Sequence, residues 1–102
     1  MKEVYFDHAA TTPVFPEVIK EMNDIYKNRY ANSASAHLQG QSSAAVLEES
    51  REKIAHFLGA EKAEEIVFTS GGTESDNLAV KGSAMALADK GRHIITSSIE
   101  HH

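Results

Sequence analysis

Apolar positions along the chain follow two rhythms, and the change between them marks the elements. Val4, Tyr5 and Phe6, within the stretch from Lys2 to Asp7, form a β-prone run that stops at the polar pair Asp7-His8, which predicts a short strand or an extended arm. Pro13 and Pro16 punctuate the next stretch. After Pro16, Val18, Ile19, Met22, Ile25 and Tyr26 recur at helical spacing, predicting an amphipathic helix to about Tyr30. Pro16 suits the first helical position, where its missing N–H leaves no bond unmade. Residues 31–40 are small, polar and aperiodic and read as an ordered loop. A second helix, Gln41 to Leu58, carries Val46, Leu47, Ile54, Phe57 and Leu58, with Gly59 as its C′ residue. Within Glu65 to Ser70, the run Ile66-Val67-Phe68-Thr69 is β-branched, aromatic and too short for a helix, so it reads as a buried strand. Gly71-Gly72 breaks it. A third helix is expected from about Thr73 to Lys90, with Leu78, Met85 and Leu87 inward and Gly91 as its stop, before a second buried strand at Ile94-Ile95-Thr96. Strand, glycine turn, helix and strand make a βαβ unit, so the fold class is α/β, with a parallel sheet covered by helices.

Composition narrows the function more than the fold. With 102 residues, 41% hydrophobic and 25% charged, the chain is ordinary globular material, which argues against collagen, coiled coil and a disordered tail. No repeat or low-complexity linker divides it. A core is possible at this length but marginal for 102 residues standing alone. The net charge of −5 has the wrong sign for a general nucleic-acid or anionic-membrane binder, whose affinity comes from neutralising phosphate. No apolar run approaches the roughly 18 to 20 residues of a membrane span, and the opening six residues turn polar too soon for a secretory leader. Cysteine is absent, which removes disulfides, thiolate metal sites and a thiol nucleophile from this stretch and agrees with a reducing cytoplasm.

The sharpest chemical feature is Thr69-Ser70-Gly71-Gly72-Thr73-Glu74-Ser75, expected at the carboxyl end of a strand and the amino end of a helix. Ligands of open α/β sheets bind at that place, and free helix N–H groups with the helix dipole attract anions there. Gly71 and Gly72 allow close approach of backbone to an anion, and Thr73 offers a hydroxyl to it; a phosphate is the natural occupant. The plainer alternative is a strand-to-helix turn in which Thr73 caps the helix and Asp76 forms the far half of a capping box. The spacing fits neither a Walker loop nor the dinucleotide Gly-x-Gly-x-x-Gly. His101 and His102 follow Glu100 at the same expected sheet edge. A purification tag is the rival account of that pair, and metal binding is weak because adjacent histidines diverge and no third ligand stands near. His56 and His93 read as helix-surface and strand-entry residues, while His8 and His37 lie in loops, where polar side chains more often serve function.

Taken together, these residues resemble the start of a cysteine desulfurase of the class-V aminotransferase family, with the fold-type I pyridoxal-phosphate architecture. The likeness spans the whole chain. Tyr5-Phe6-Asp7-His8-Ala9-Ala10-Thr11-Thr12-Pro13 is similar to the family's opening signature, and Asn32-Ser33-Ala34-Ser35-Ala36-His37 to its Asn-Pro-Ser-Ser-x-His loop, with Ser33 where the family usually has Pro. The stretch from Thr69 to Asn77 is similar to its phosphate loop, and Thr96-Ser97-Ser98-Ile99-Glu100-His101 to its Thr-x-x-Glu-His motif.

The resemblance implies that Gly71, Gly72 and Thr73 hold the phosphate of pyridoxal 5'-phosphate, that His101 stacks on its ring and moves protons as an imidazole can near neutral pH, and that His8 and Ala9 approach the amino-acid substrate. It assigns nothing to His102. It implies L-cysteine as substrate, a sulfur-acceptor protein as partner, a homodimer at full length and a cytoplasmic enzyme serving iron–sulfur or thio-cofactor assembly. Residues 1–15 would be an N-terminal arm of the small domain and residues 16–102 the start of the cofactor-binding large domain. The family's cofactor-anchoring Lys, its Asp on the ring nitrogen, its substrate-binding Arg and its persulfide-carrying Cys all lie beyond the Glu-His motif. The expectation is therefore an amino-terminal piece, inactive alone, in which Lys81 is a solvated helix charge. Alternatives are another class-V reaction, such as selenocysteine lysis or transamination, or a non-catalytic fragment that binds a phosphate ligand. The helix stripes at residues 18–26 and 46–58 would then be left partly uncovered.

Overall fold

The computed structural model describes residues 3–100. Its elements are helix α1 (Pro16–Asn28), helix α2 (Leu38–Leu58), a 3-10 turn (Ala63–Glu65), helix α3 (Gly72–Asn77), a π-helical turn (Leu78–Gly82) and helix α4 (Ser83–Ala86). They fall into two compact units, one running to Ile66 and the other starting at Val67.

In the first unit α1 opens on Pro16, with Glu17 in its first turn and Lys27 in its last, each favourable to the helix dipole. It ends two residues short of the expected Tyr30, where Arg29 N–H still bonds the Ile25 carbonyl. Helix α2 starts three residues earlier than its apolar rhythm suggests. His37 is the reason: its Nδ1 accepts the Gly40 N–H at 3.2 Å, so an imidazole serves as the N-cap. Gly40 is buried and must be glycine. A Cβ there would lie 2.7 Å from Ser35 Cβ and 2.8 Å from the Asn32 carbonyl oxygen, and closer still to the Ser35 carbonyl oxygen. The far end of α2 closes as expected. Gly59 takes the left-handed conformation at φ 73°, its N–H bonds the His56 carbonyl, and Ala60 N–H reaches back to Ala55, which is the Schellman arrangement. Arg51 then ties α2 to the following segment, pairing with Glu48 at 3.2 Å and donating to the Ile66 carbonyl.

In the second unit the expected single helix from Thr73 to Lys90 is a shorter helical path, from Gly72 to Ala86, whose middle turn is π-helical. Gly82, a poor helix former, sits inside that wider turn. Residues 87–90 continue as turns, with Gly91 N–H bonding the Leu87 carbonyl.

The expected strands are not there. Among the described residues none forms a β-strand, so the βαβ unit is absent, and residues 3–7, 66–69 and 91–97 run without regular structure. A strand satisfies its N–H and C=O groups only through ladder neighbours, which these segments lack here. Their apolar side chains accordingly remain open, with Val67 at 60% exposure and Ile95 at 87%. Among the described residues Ala55 is the one buried apolar side chain, and Val18, Ile19 and Met22 of α1 stay nearly half exposed, in line with stripes that have no cover. No helix among those residues is long and apolar enough to cross a membrane.

Candidate functional site

The glycine turn begins with chain leaving residues 66–69 and entering α3. Gly71 is the residue before the helix, and the first helical bond runs from Ser75 N–H to the Gly71 carbonyl at 3.1 Å. The N–H groups of Gly71, Gly72, Thr73 and Glu74 therefore precede the ladder and have no helical acceptor. Side chains brace the bend from both sides. The Thr69 and Ser75 hydroxyl oxygens are 2.6 Å apart, and each lies 3.2 Å from the Gly71 carbonyl oxygen. The Glu74 carboxylate folds back to accept the Ser70 hydroxyl at 2.6 Å and the Ser70 N–H at 2.8 Å. Those two donors, the hydroxyl first, hold the Glu74 carboxyl below the usual carboxylate range.

This bracing consumes the donors of Ser70 and leaves those of Gly71 to Thr73. Among the described residues the Thr73 hydroxyl makes no hydrogen bond and α3 has no side-chain cap, so the alternative capping box of Thr73 and Asp76 is not formed; Glu74 bonds Ser70, one residue before the N-cap Gly71. Gly71 is extended, at φ 162° and ψ −178°, a conformation open to any residue. A Cβ on Gly71 or Gly72 would meet nothing within 4 Å. Neither backbone strain nor internal packing asks for glycine here, in contrast to Gly40. Two bare glycines facing open space beside free N–H groups and a free hydroxyl fit a group arriving from outside, and that donor set suits a phosphate.

A second turn, in the other unit, carries His8 and Ala9. The Asp7 carbonyl accepts Ala10 N–H at 3.1 Å and Thr11 N–H at 3.3 Å, and both His8 and Ala9 are exposed. The structure thus sets Gly71, Gly72 and Thr73 side by side on one turn and His8 with Ala9 on another. His101 and His102 lie outside the described residues. Lys81 stands exposed in the π-helical turn, as a solvated charge should. His37 is occupied in capping α2.

Concave surfaces among the described residues lie elsewhere, and two of them bear on the question. One, about 760 Å³, is lined by Val80, Met85, Leu87, Arg92 and Ile94 and includes none of residues 69–77; it is the open apolar side of the helical path rather than a polar site. The other, about 560 Å³, is lined by Ile25, Arg29, Val46, Glu49 and Lys53. There the Lys53 ammonium donates to Glu49 at 2.7 Å, lowering the carboxyl and raising the amine, an exposed pair whose charges satisfy each other. Sequence reasoning missed Ser70 and Glu74. A Glu in the first helical turn, four residues after a Ser in the bend before it, is placed to fold back on that Ser, and that signal was available at Glu74.

The chain is similar to known proteins over nearly its whole length. The profile of the family described as aminotransferase class-V matches residues 4–102. A cysteine desulfurase IscS of Dictyoglomus turgidum is 54% identical over 101 residues, covering 99% of this chain and 25% of that protein. One of Methanosarcina thermophila is 52% identical over 101 residues, again 99% of this chain and 25% of the relative. A putative cysteine desulfurase IscS 1 of Bacillus subtilis is 47% identical over 102 residues, all of this chain and 27% of the relative. The chain spans about a quarter of the length of these relatives. No solved structure matches it.

Proposed function

The chain belongs to the class-V aminotransferase family, and from that premise we propose that it is the amino-terminal part of a pyridoxal-phosphate-dependent cysteine desulfurase, which takes sulfur from L-cysteine, leaves L-alanine and passes the sulfur to an acceptor protein. The observation that carries this reading is the glycine turn: bare at Gly71 and Gly72, braced by Glu74 and Ser75, and left with the donors a phosphate needs. The names of the relatives supply the reaction.

When bound, pyridoxal phosphate supplies an electron sink for negative charge at the substrate's α-carbon. The chain's own residues bind and orient. N–H groups of Gly71, Gly72 and Thr73, with the Thr73 hydroxyl, hold the phosphate. Glu74 keeps Ser70 and the bend in shape. His101, by the family's Glu-His motif, would face the cofactor ring and could exchange a proton at an imidazole nitrogen. His8 and Ala9 meet the amino acid. Residues 65–70 and 94–96 become strands of the fold-type I sheet once ladder partners stand beside them, completing the βαβ unit. Residues 1–15 form the arm, and residue 16 onward begins the large domain. The full-length enzyme is a cytoplasmic homodimer.

The test is an assay of the full-length protein with L-cysteine, following alanine and sulfide under reducing conditions. Equal amounts of both support the reading. Turnover of selenocysteine or of an amino-group acceptor with no sulfide from cysteine would replace it with another class-V reaction.

A further inference from the structure

Tyr5 makes three contacts on the turn that carries His8 and Ala9. Its hydroxyl lies 2.9 Å from the Asp7 carbonyl oxygen and 3.2 Å from that of Thr11, so a single phenolic proton is shared between the two ends of the turn. Its ring meets the His8 imidazole edge to face, with centroids 5.0 Å apart and planes at 87°. The Asp7 carbonyl is the hub, because it also accepts the Ala10 and Thr11 N–H groups. An oxygen with two lone pairs serves three donors unequally, and the 3.3 Å bond from Thr11 is the longest of them. The Tyr5 hydroxyl reaches the Thr11 carbonyl directly and holds that residue in place where its own N–H bond is weak. The N–H groups of His8 and Ala9 take no part in these bonds.

We propose that Tyr5 is a positioning residue for this turn, fixing the His8 imidazole and the Ala9 backbone where an amino-acid substrate meets them. This role rests on the proposed function, in which the turn faces the substrate. A phenol has few rotatable bonds, so it can hold two carbonyls and one imidazole together at small entropic cost. Removing the hydroxyl loosens the turn without changing any charge, so the loss falls on substrate binding while the chemical step is left alone.

The experiment uses the full-length, cofactor-loaded enzyme and two variants. Tyr5→Phe keeps the ring contact and removes both hydroxyl bonds; Tyr5→Leu removes all three contacts. Hydrogen exchange at the Ala10 and Thr11 amides is expected to rise by about two- to tenfold in Tyr5→Phe, the range for loss of a neutral hydrogen bond, and further in Tyr5→Leu. The KM for L-cysteine should rise in the same order with kcat within about twofold, the pattern of lost binding that ground state and transition state share. Cofactor absorbance should stay at the wild-type level. Unchanged exchange in Tyr5→Phe overturns the proposal, as does faster exchange with an unchanged KM, or a fall in kcat alone. A wild-type protein that does not turn over cysteine would instead sink the functional reading before any variant is made, and the KM comparison would pass to the amino acid it does use.

Discussion

Gly40→Ala tests whether the loop of residues 31–37 is packed against the start of α2 as the structure has it. A methyl group at residue 40 would stand 2.7 Å from Ser35 Cβ and 2.8 Å from the Asn32 carbonyl oxygen, with the Ser35 carbonyl oxygen nearer still. Two of those neighbours are backbone, so no side-chain rotation relieves them. Overpacking of this kind costs typically about 1–3 kcal/mol. Backing the first turn away to relieve it would stretch the His37 cap on Gly40 N–H, already 3.2 Å long, at a further cost of about 1 kcal/mol. Against this, alanine is better than glycine inside a helix by about 1 kcal/mol. The balance is a local loss of about 2 kcal/mol, equivalent to roughly thirtyfold faster amide exchange, since each 1.4 kcal/mol is about tenfold. Exchange at the amides of residues 40, 41 and 43 in the full-length protein, wild type against variant, measures it. Equal or slower exchange in the variant would show that helix propensity dominates and that the loop does not press on Gly40.

Glu74→Ala should free the Ser70 amide and speed its exchange severalfold, whereas Glu74→Gln, which keeps an acceptor but not the charge, should retain only part of the protection. Because folding lowers the Glu74 carboxyl, its contribution is present above the ordinary carboxylate range and is lost as pH falls through the lowered value. A Ser70 amide whose protection disappears already between pH 7 and pH 6 would contradict that direction. Arg51 is largely covered and donates to the Ile66 carbonyl while pairing with Glu48. Arg51→Ala should loosen the turn at Ala63–Glu65 by about 1.5–3 kcal/mol, read as faster exchange at Ile66, the usual range for losing a charged donor. Arg51→Lys should restore only part of it, because one ammonium cannot reproduce the guanidinium fork.

The parts read correctly from sequence are those decided by near neighbours. Pro16 and Gly59 carry their conformations in their own chemistry, so the start of α1 and the end of α2 fell where expected. The start of α2 did not, because an imidazole cap is rarer than Ser, Thr, Asp or Asn and because Gly40 looks like loop until Ser35 and Asn32 are seen against it. Ile66 to Phe68 and Ile94-Ile95 have strand composition without strand form, since pairing is a property of neighbours that these residues lack here. At the glycine turn Gly71, Gly72 and Thr73 stand out in the sequence, whereas the brace from Glu74 to Ser70 does not, and the alternative capping pair of Thr73 and Asp76 is not formed. The brace depends on which side chain can fold back over Ser70, which spacing alone leaves open.

Whether the turn from Gly71 to Thr73 seats the phosphate of the cofactor decides the functional reading. The direct measurement is the affinity of the cofactor-free, full-length protein for pyridoxal phosphate against unphosphorylated pyridoxal, in wild type and in Thr73→Val. Two or three charge-assisted hydrogen bonds predict a wild-type preference for the phosphate ester of more than about a hundredfold, cut by about tenfold in the variant. Equal affinity for the two compounds, or a preference that Thr73→Val leaves intact, would contradict it.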